Sequence, residues 1–374
     1  MDDDDQVTRS VQMSSSLHFA NLADYRAAGN GEPVLSGQTS NHLDNGYGLQ
    51  GNPTLHQLQD SISKLENGRY SLLFPSGSTA LSALSALFKS GDHWLVPDSV
   101  YAPVRRYAEY LDEHFGVKCD YYNPASLDTL ADLINDKTKL IHIETPSSAT
   151  FDLTDVEAVV ELAKAKGVPT SADNTWASGV LYKPLDHGVD ISILSLTKYI
   201  GGYSDVFMGS LTTGNEDLFK LFSYQHRVLG YTVSPFSAML LNRGLESLEV
   251  RLAAHGANVE CLVQGIEGNN KVTRIYKITP GKGNGFSGIN GLFSIELDRK
   301  YSDAELEKAF AKLATFKIGE SWGGTRSLVL PFQPEELSQR FNAPKNTIIR
   351  FHSGLENVDL QAADIQGFLK ALQP

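Results

Sequence analysis

Lys198 closes the apolar run Ser192-Ile193-Leu194-Ser195-Leu196-Thr197 and is followed closely by Gly201-Gly202. Lysine is seldom buried unless it is paired or put to use, and its amine forms Schiff bases with carbonyl compounds. Two other stretches offer complementary chemistry. Pro75-Ser76-Gly77-Ser78-Thr79 brings small residues to the start of a helical pattern, where free backbone N–H groups and the helix dipole favour a phosphate. An ordinary capped turn has the same composition. Asp173, in Ala172-Asp173-Asn174-Thr175-Trp176, is a carboxylate at the end of a strand-like run, suited to a protonated ring nitrogen or to capping a turn. Ser195 and Thr197 present hydroxyls on one side of an extended segment and Lys198 points to the other. A phosphate cup, a carboxylate for a pyridinium and a lysine for an imine together describe one cofactor, pyridoxal 5′-phosphate.

Strands must hold these groups. From about Leu58 to Pro184 short apolar runs alternate with amphipathic ones. Strands are expected at RYSLLF, HWLVPD, KCDYYN, KLIHIET, VPTSAD and VDISILSL. Helices are expected at STALSALSALFK, PVRRYAEYLDEHFG, SLDTLADLIND and DVEAVVELAKAKG. Such alternation makes a parallel sheet with crossover helices, whose ligands bind beyond the carboxyl ends of the strands. PSGST, DNTW and SLTKY all fall at such ends. From Glu216 to about Gly265 the periodicity is helical. Beyond Gly281 the strands GLFSIELD, SLVLPF and TIIRFH and the helices DAELEKAFAKLATF and NVDLQAADIQGFLKAL predict a second, smaller α/β domain. The glycine-rich PGKGNGFSG is expected as the loop before its first strand. The predicted division is an N-terminal arm over 1–55, a large cofactor domain over 56–250 and a small domain over 251–374.

The chain has 374 residues, more than one small core accommodates. Its 41% hydrophobic and 20% charged residues fit a soluble globular protein. A net charge of −12 argues against nucleic acid or an anionic membrane as a partner. Two cysteines, Cys119 and Cys261, are too few for a disulfide framework or a multi-cysteine zinc site and fit a reducing compartment, the cytoplasm. MDDDDQVTRS is acidic where a signal peptide is basic and reads as a solvated tail, and no apolar run approaches a transmembrane span. His142 and Glu144 stand two apart on a predicted strand, but a metal needs further ligands, so no metal site is expected.

The segments GNPTLHQLQ, FPSGSTAL, VPDSVYAP, DNTWASGVLYKPLDHGVDISI, TKYIGGYSD, ESWGGTRSLVL and RFHSGLENV span Tyr47 to near the C-terminus. In them the sequence resembles the transsulfuration enzymes, the pyridoxal-phosphate-dependent family of cysteine and methionine metabolism, and above all their bacterial cystathionine β-lyase branch. The resemblance implies the fold type I, aspartate-aminotransferase-like architecture: a large, mixed but mostly parallel sheet domain with a smaller C-terminal α/β domain. It also implies a homotetramer, a dimer of dimers sharing active sites, that acts on a small amino acid. The implied reaction is α,β-elimination of cystathionine or a related sulfur amino acid to a thiol, pyruvate and ammonia. Relatives share most residues while differing in reaction. γ-Elimination or γ-replacement is therefore the neighbouring alternative, and a non-catalytic cofactor-binding protein is a third.

The same resemblance implies roles. Lys198 bonds the cofactor and later carries a proton. Asp173 pairs with the ring nitrogen and Tyr101 stacks on the ring. Gly77, Ser78, Ser195 and Thr197 hold the phosphate. Arg350 takes the substrate α-carboxylate with its planar fork, Ser321 and Trp322 line the substrate pocket, and Tyr47 reaches into a neighbouring subunit. The family carries Tyr-x-Arg ahead of the GNPT-like segment, with the arginine crossing the subunit boundary to the phosphate. Here the text is Tyr47-Gly48-Leu49, so Leu49 stands where that arginine is expected.

Overall fold

A computed structural model of the chain describes residues 10–29, 47–49, 51–281, 283–337 and 341–372. Nearly all of the predicted acidic tail, residues 1–9, lies outside the described residues. Helices α1 (Leu22–Gly29) and α2 (Pro53–Leu65) precede the first sheet. The side chain of Asn52 caps α2 by accepting the Thr54 and Leu55 N–H groups, and Pro53 takes the first helical position, where no N–H is needed.

The large sheet contains β1 (Tyr70–Phe74), β2 (His93–Pro97), β3 (Lys118–Tyr122), β4 (Thr138–Glu144), β5 (Thr170–Asp173), β6 (Ile191–Ser195) and β7 (Gly209–Thr213). Between them run α3 (Gly77–Ser82), α4 (Ala102–Phe115), α5 (Leu127–Leu133) and α6 (Val156–Ala165). The strand order is β1-β7-β6-β5-β4-β2-β3. β7 is antiparallel to both its neighbours, β1 and β6, and the other pairs are parallel. The sheet is thus mixed and mostly parallel. Helices cover both faces, so β1, β2 and β6 are buried almost throughout, as parallel strands require. β7, GSLTT, has too little apolar character to announce itself; two flanking ladders specify it. The helix expected over STALSALSALFK ends its α-helical part at Ser82 and continues as a 3₁₀ turn over Ala83–Leu87.

Helices α7 (Glu216–Val228), α8 (Pro235–Leu245) and α9 (Leu248–Ile266) lead into the second sheet. It holds β8 (Val272–Tyr276), β9 (Leu292–Leu297), β10 (Lys317–Ile318), β11 (Leu328–Phe332) and β12 (Ile348–His352), with α10 (Asp303–Phe310) and α11 (Val358–Ala371). Its order is β10-β11-β12-β9-β8. Phe293, Phe351 and Phe368 are buried at the centre of its core. The glycine-rich loop does not precede the first strand of this sheet as expected. It joins β8 to β9, because β8, VTRIY, pairs along β9 although two of its side chains are exposed. The predicted domain boundary after 250 falls within α9.

Candidate active site

The site is built where the large sheet's strand ends meet the turn between β10 and β11. Lys198 follows β6 in a tight turn whose amide returns to Ser195 O at 3.1 Å, and the Gly202 N–H closes the next turn on Lys198 O at 2.8 Å. Arg251, buried on α9, donates to Tyr199 O at 2.6 Å and Gly244 O at 2.7 Å. Gly202 has φ +77°, and a Cβ there would strike the Arg251 guanidinium, so glycine is required twice over. Gly323, φ +86°, lies equally close on the other side: its Cβ would fall 2.6 Å from Tyr199 N and 2.7 Å from Lys198 C. The Gly323 N–H donates to His352 Nε2 at 3.1 Å, which anchors this turn to β12.

That packing presents the lysine amine to the turn. Lys198 Nζ donates to Ser321 Oγ at 2.6 Å and lies 5.3 Å from the centre of the Trp322 ring. Ser321 has φ +82°, uncommon for a residue other than glycine. Burial first, and then the charge of Arg350, lower the Lys198 pKa from 10.5 to about 8, against the opposing pull of Asp173 and Glu320.

Asp173 ends β5, where its Oδ1 accepts the Thr175 N–H at 2.9 Å. Burial raises its pKa, while the Thr175 donors and the Lys198 charge oppose the rise. The Thr175 hydroxyl accepts the Ser195 N–H at 2.8 Å and so ties the ends of β5 and β6 together. Gly77 and Ser78 open α3, where the first N–H groups have no acceptor inside the helix. A Cβ on Gly77 would lie 2.7 Å from Ser195 Cβ and 2.9 Å from its Oγ. Thr197 Oγ1 is engaged with Met208, accepting its N–H at 3.1 Å and lying 3.3 Å from its carbonyl.

Arg350 projects from β12 and is buried. Its Nη1 donates to Ser148 O at 3.2 Å and its guanidinium lies 5.2 Å from the Phe332 ring centre. Burial lowers its pKa to about 10. Among the described residues no carboxylate forms an ion pair with it, and a buried cation in that position is suited to an incoming anion. Tyr101 stands at the start of α4, 44% exposed, its phenol pKa raised by burial and lowered by Arg350.

The structure therefore brings Lys198 to Ser321 and Trp322 and within electrostatic reach of Asp173 and Arg350, sets Tyr101 within reach of the same two charges, and packs Gly77 against Ser195. Ser78 is exposed, and Thr197 turns toward Met208. Tyr47 lies at the surface. It is 53% exposed, and Gly48 beside it packs on Ser14 and Ser15. Leu49 lines a recess with Leu55, Leu73, His226, Tyr231 and Val233. His142, weighed as a metal ligand, pairs instead with Ser171 Oγ at 2.9 Å. Two carboxyls escaped the sequence reading as site residues. Glu320 acts electrostatically on Lys198, Tyr101 and Arg350. Glu144 ends β4 in register with Asp173, its pKa raised by burial and by that neighbour. Glu320's place beside Ser321-Trp322 and Glu144's place at the end of a predicted strand are the signals the sequence offers.

These residues fit pyridoxal phosphate on their own geometry. A buried amine with a depressed pKa, a carboxylate at the next strand end and a helix start where side-chain bulk is forbidden are what the cofactor's carbonyl, ring nitrogen and phosphate require. The comparisons with known proteins agree. An L-alanine/L-glutamate racemase of Wolbachia pipientis wMel is 34% identical over 373 residues, covering 97% of this chain and 92% of its own. A cystathionine beta-lyase of Escherichia coli K12 is 33% identical over 340 residues, covering 87% and 86%. The crystal structure of a cystathionine gamma synthase from Xanthomonas oryzae pv. oryzae in complex with cystathionine superposes with a TM-score of 0.85 at 28% identity, covering 98% of this chain and 94% of that one. With the family described as Cys/Met metabolism PLP-dependent enzyme matching residues 1–370, the chain belongs to that family and is a pyridoxal-phosphate-dependent enzyme.

Proposed function

We propose that the chain is a carbon–sulfur lyase that performs α,β-elimination on cystathionine or a related sulfur amino acid. The observation that carries this reading is the buried guanidinium of Arg350, unpaired with any described carboxylate and near enough for its charge to act on the Lys198 amine. When bound, the cofactor supplies the electron sink that makes an amino acid's Cα–H acidic. Asp173 would hold its ring nitrogen, Tyr101 would stack on the ring, and Gly77, Ser78, Ser195 and Thr197 would surround its phosphate. Arg350 grips the substrate α-carboxylate in its planar fork. Lys198 Nζ takes the Cα proton, held in place by Ser321 Oγ. Trp322 walls the substrate's side chain. The β-thiolate leaves as the thiol, and with one water the remainder ends as pyruvate and ammonia.

The assembly we propose is a cytoplasmic homotetramer in which Tyr47 serves a neighbouring subunit's cleft. Exposed Tyr224, Val228, Leu229 and Phe236 on α7, α8 and their connection support such contacts. Among the described residues no helix is long and apolar enough to cross a membrane.

A second reading, amino-acid racemisation, is favoured by the racemase relative that covers 97% of the chain. Loss and return of the Cα proton need the same Lys198 amine and Arg350 fork, without a leaving group. Incubating the cofactor-loaded protein with L-cystathionine and, separately, with L-alanine and L-glutamate tests both. Pyruvate with homocysteine is the expected outcome. 2-Oxobutyrate with cysteine would mean γ-elimination, and D-alanine or D-glutamate without either keto acid would replace the lyase reading by the racemase one.

A further inference from the structure

We infer that Glu144 is a positioning residue that sets the Tyr101 ring and the Arg350 guanidinium relative to one another. Glu144 is 6% exposed at the end of β4. Its Oε2 accepts the Tyr101 N–H at 2.8 Å, and the Ser148 backbone amide is a second donor to the same carboxyl. Ser148 in turn offers its carbonyl to Arg350 Nη1 at 3.2 Å. One side chain on the large sheet therefore links the start of α4 to a turn that holds an arginine from the small sheet.

The residue type fits that task and no simpler one. Glu144 is buried and lies in strand register with Asp173, and burial first, then the neighbouring carboxyl, raise its pKa. A single buried amide could be satisfied by a neutral acceptor without this penalty. A carboxyl group presents two oxygens toward donors from two separate segments, where glutamine replaces one of them with an NH₂ group that cannot accept. Tyr101 has no side-chain cap of its own, and Glu144 Oε2 takes its amide at the start of α4. The tie fixes the Tyr101 backbone and one nitrogen of the Arg350 guanidinium and leaves the tyrosine ring and the second guanidinium nitrogen free, as a site held to sub-ångström tolerance requires.

This inference rests on the proposed roles of Tyr101 and Arg350, so its test has one arm independent of them. Amide hydrogen exchange on the cofactor-free protein compares Glu144→Gln with wild type at residues 101 and 148. At least one of the two amides should exchange about tenfold faster or more, the effect of losing a buried hydrogen bond. In the second arm, Glu144→Gln should raise KM for the amino acid by about tenfold with kcat changed by no more than about threefold, the pattern of lost ground-state binding, and should speed cofactor loss on dialysis. Glu144→Asp, which keeps both oxygens but withdraws them by one methylene, should show the same changes and serves if the glutamine variant does not fold. Unchanged exchange at both amides overturns the link itself. Faster exchange with unchanged KM and unchanged cofactor retention overturns the positioning role and leaves a structural one. Failure of the lyase reading would appear instead in the wild-type product analysis and would leave the exchange result standing.

Discussion

The amine of Lys198 and the hydroxyl of Ser321 stand 2.6 Å apart, joining residues 123 positions distant in the chain across the boundary between the two sheets. This contact places an amine of lowered pKa, about 8, where Arg350 and Glu320 both act on it. Only the unprotonated amine adds to a carbonyl. The rate at which cofactor-free protein takes up pyridoxal phosphate should therefore rise with pH and level off above about 8. Arg350 lowers the lysine pKa and Glu320 raises it. Arg350→Ala should move the midpoint to higher pH and Glu320→Gln to lower pH. Stopped-flow absorbance across a pH series measures both shifts, and a wild-type midpoint near 10.5, the unperturbed lysine value, would show an amine that is not desolvated.

Gly77 is expected to tolerate no side chain. Its Cβ would sit 2.7 Å from Ser195 Cβ, so Gly77→Ala must push β6 and α3 apart. The expected cost in stability is about 1–3 kcal/mol, the usual penalty for overpacking, with a weakening of cofactor binding that exceeds it. Urea titration and equilibrium dialysis of the variant separate the two effects. Cofactor affinity equal to wild type would remove the start of α3 from the phosphate site.

Glu66 provides a pH test of the scaffold behind the site. It is fully buried, accepts Asn174 Nδ2 at 2.9 Å and the Ser192 hydroxyl, and burial raises its pKa from 4.5 to about 7. The unfolded chain releases this proton near 4.5 and the folded one holds it to about 7. The folded state thus binds more protons in that window, and stability falls as pH rises through it. The full effect is on the order of 3 kcal/mol from the linkage relation. Glu66→Gln mimics the protonated form and should flatten the dependence of Tm on pH between about 5 and 7, with the variant the more stable at the upper end. An unchanged slope would mean that the carboxyl is already charged in the folded protein at pH 5.

Much of this site was legible in the sequence because its parts are local. PSGST, DNTW and SLTK each carry their chemistry within five residues, and all three lie at strand ends that apolar alternation predicts. Ser321, Trp322 and Arg350 were reached only through family resemblance, since nothing local states that β11 and β12 return to Lys198. β7 and β8 escaped because GSLTT and VTRIY carry little apolar signal, and neighbouring strands rather than their own composition specify them. Glu144 could be seen as a strand carboxylate, but its partner Tyr101 lies 43 residues earlier and only the fold brings them together. In the sequence Leu49 registers only as a missing arginine. Its recess with Leu55, Leu73 and Val233 supplies a reason for an apolar residue within one subunit.

Reduction of the cofactor-loaded protein with borohydride, followed by peptide mass analysis, tests the central assignment most directly. The predicted result is loss of the visible absorbance and a single pyridoxyl-modified peptide carrying Lys198, with Lys198→Ala yielding none. Modification of any other lysine, or a wild-type protein that retains pyridoxal phosphate yet gives no modified peptide, would contradict it.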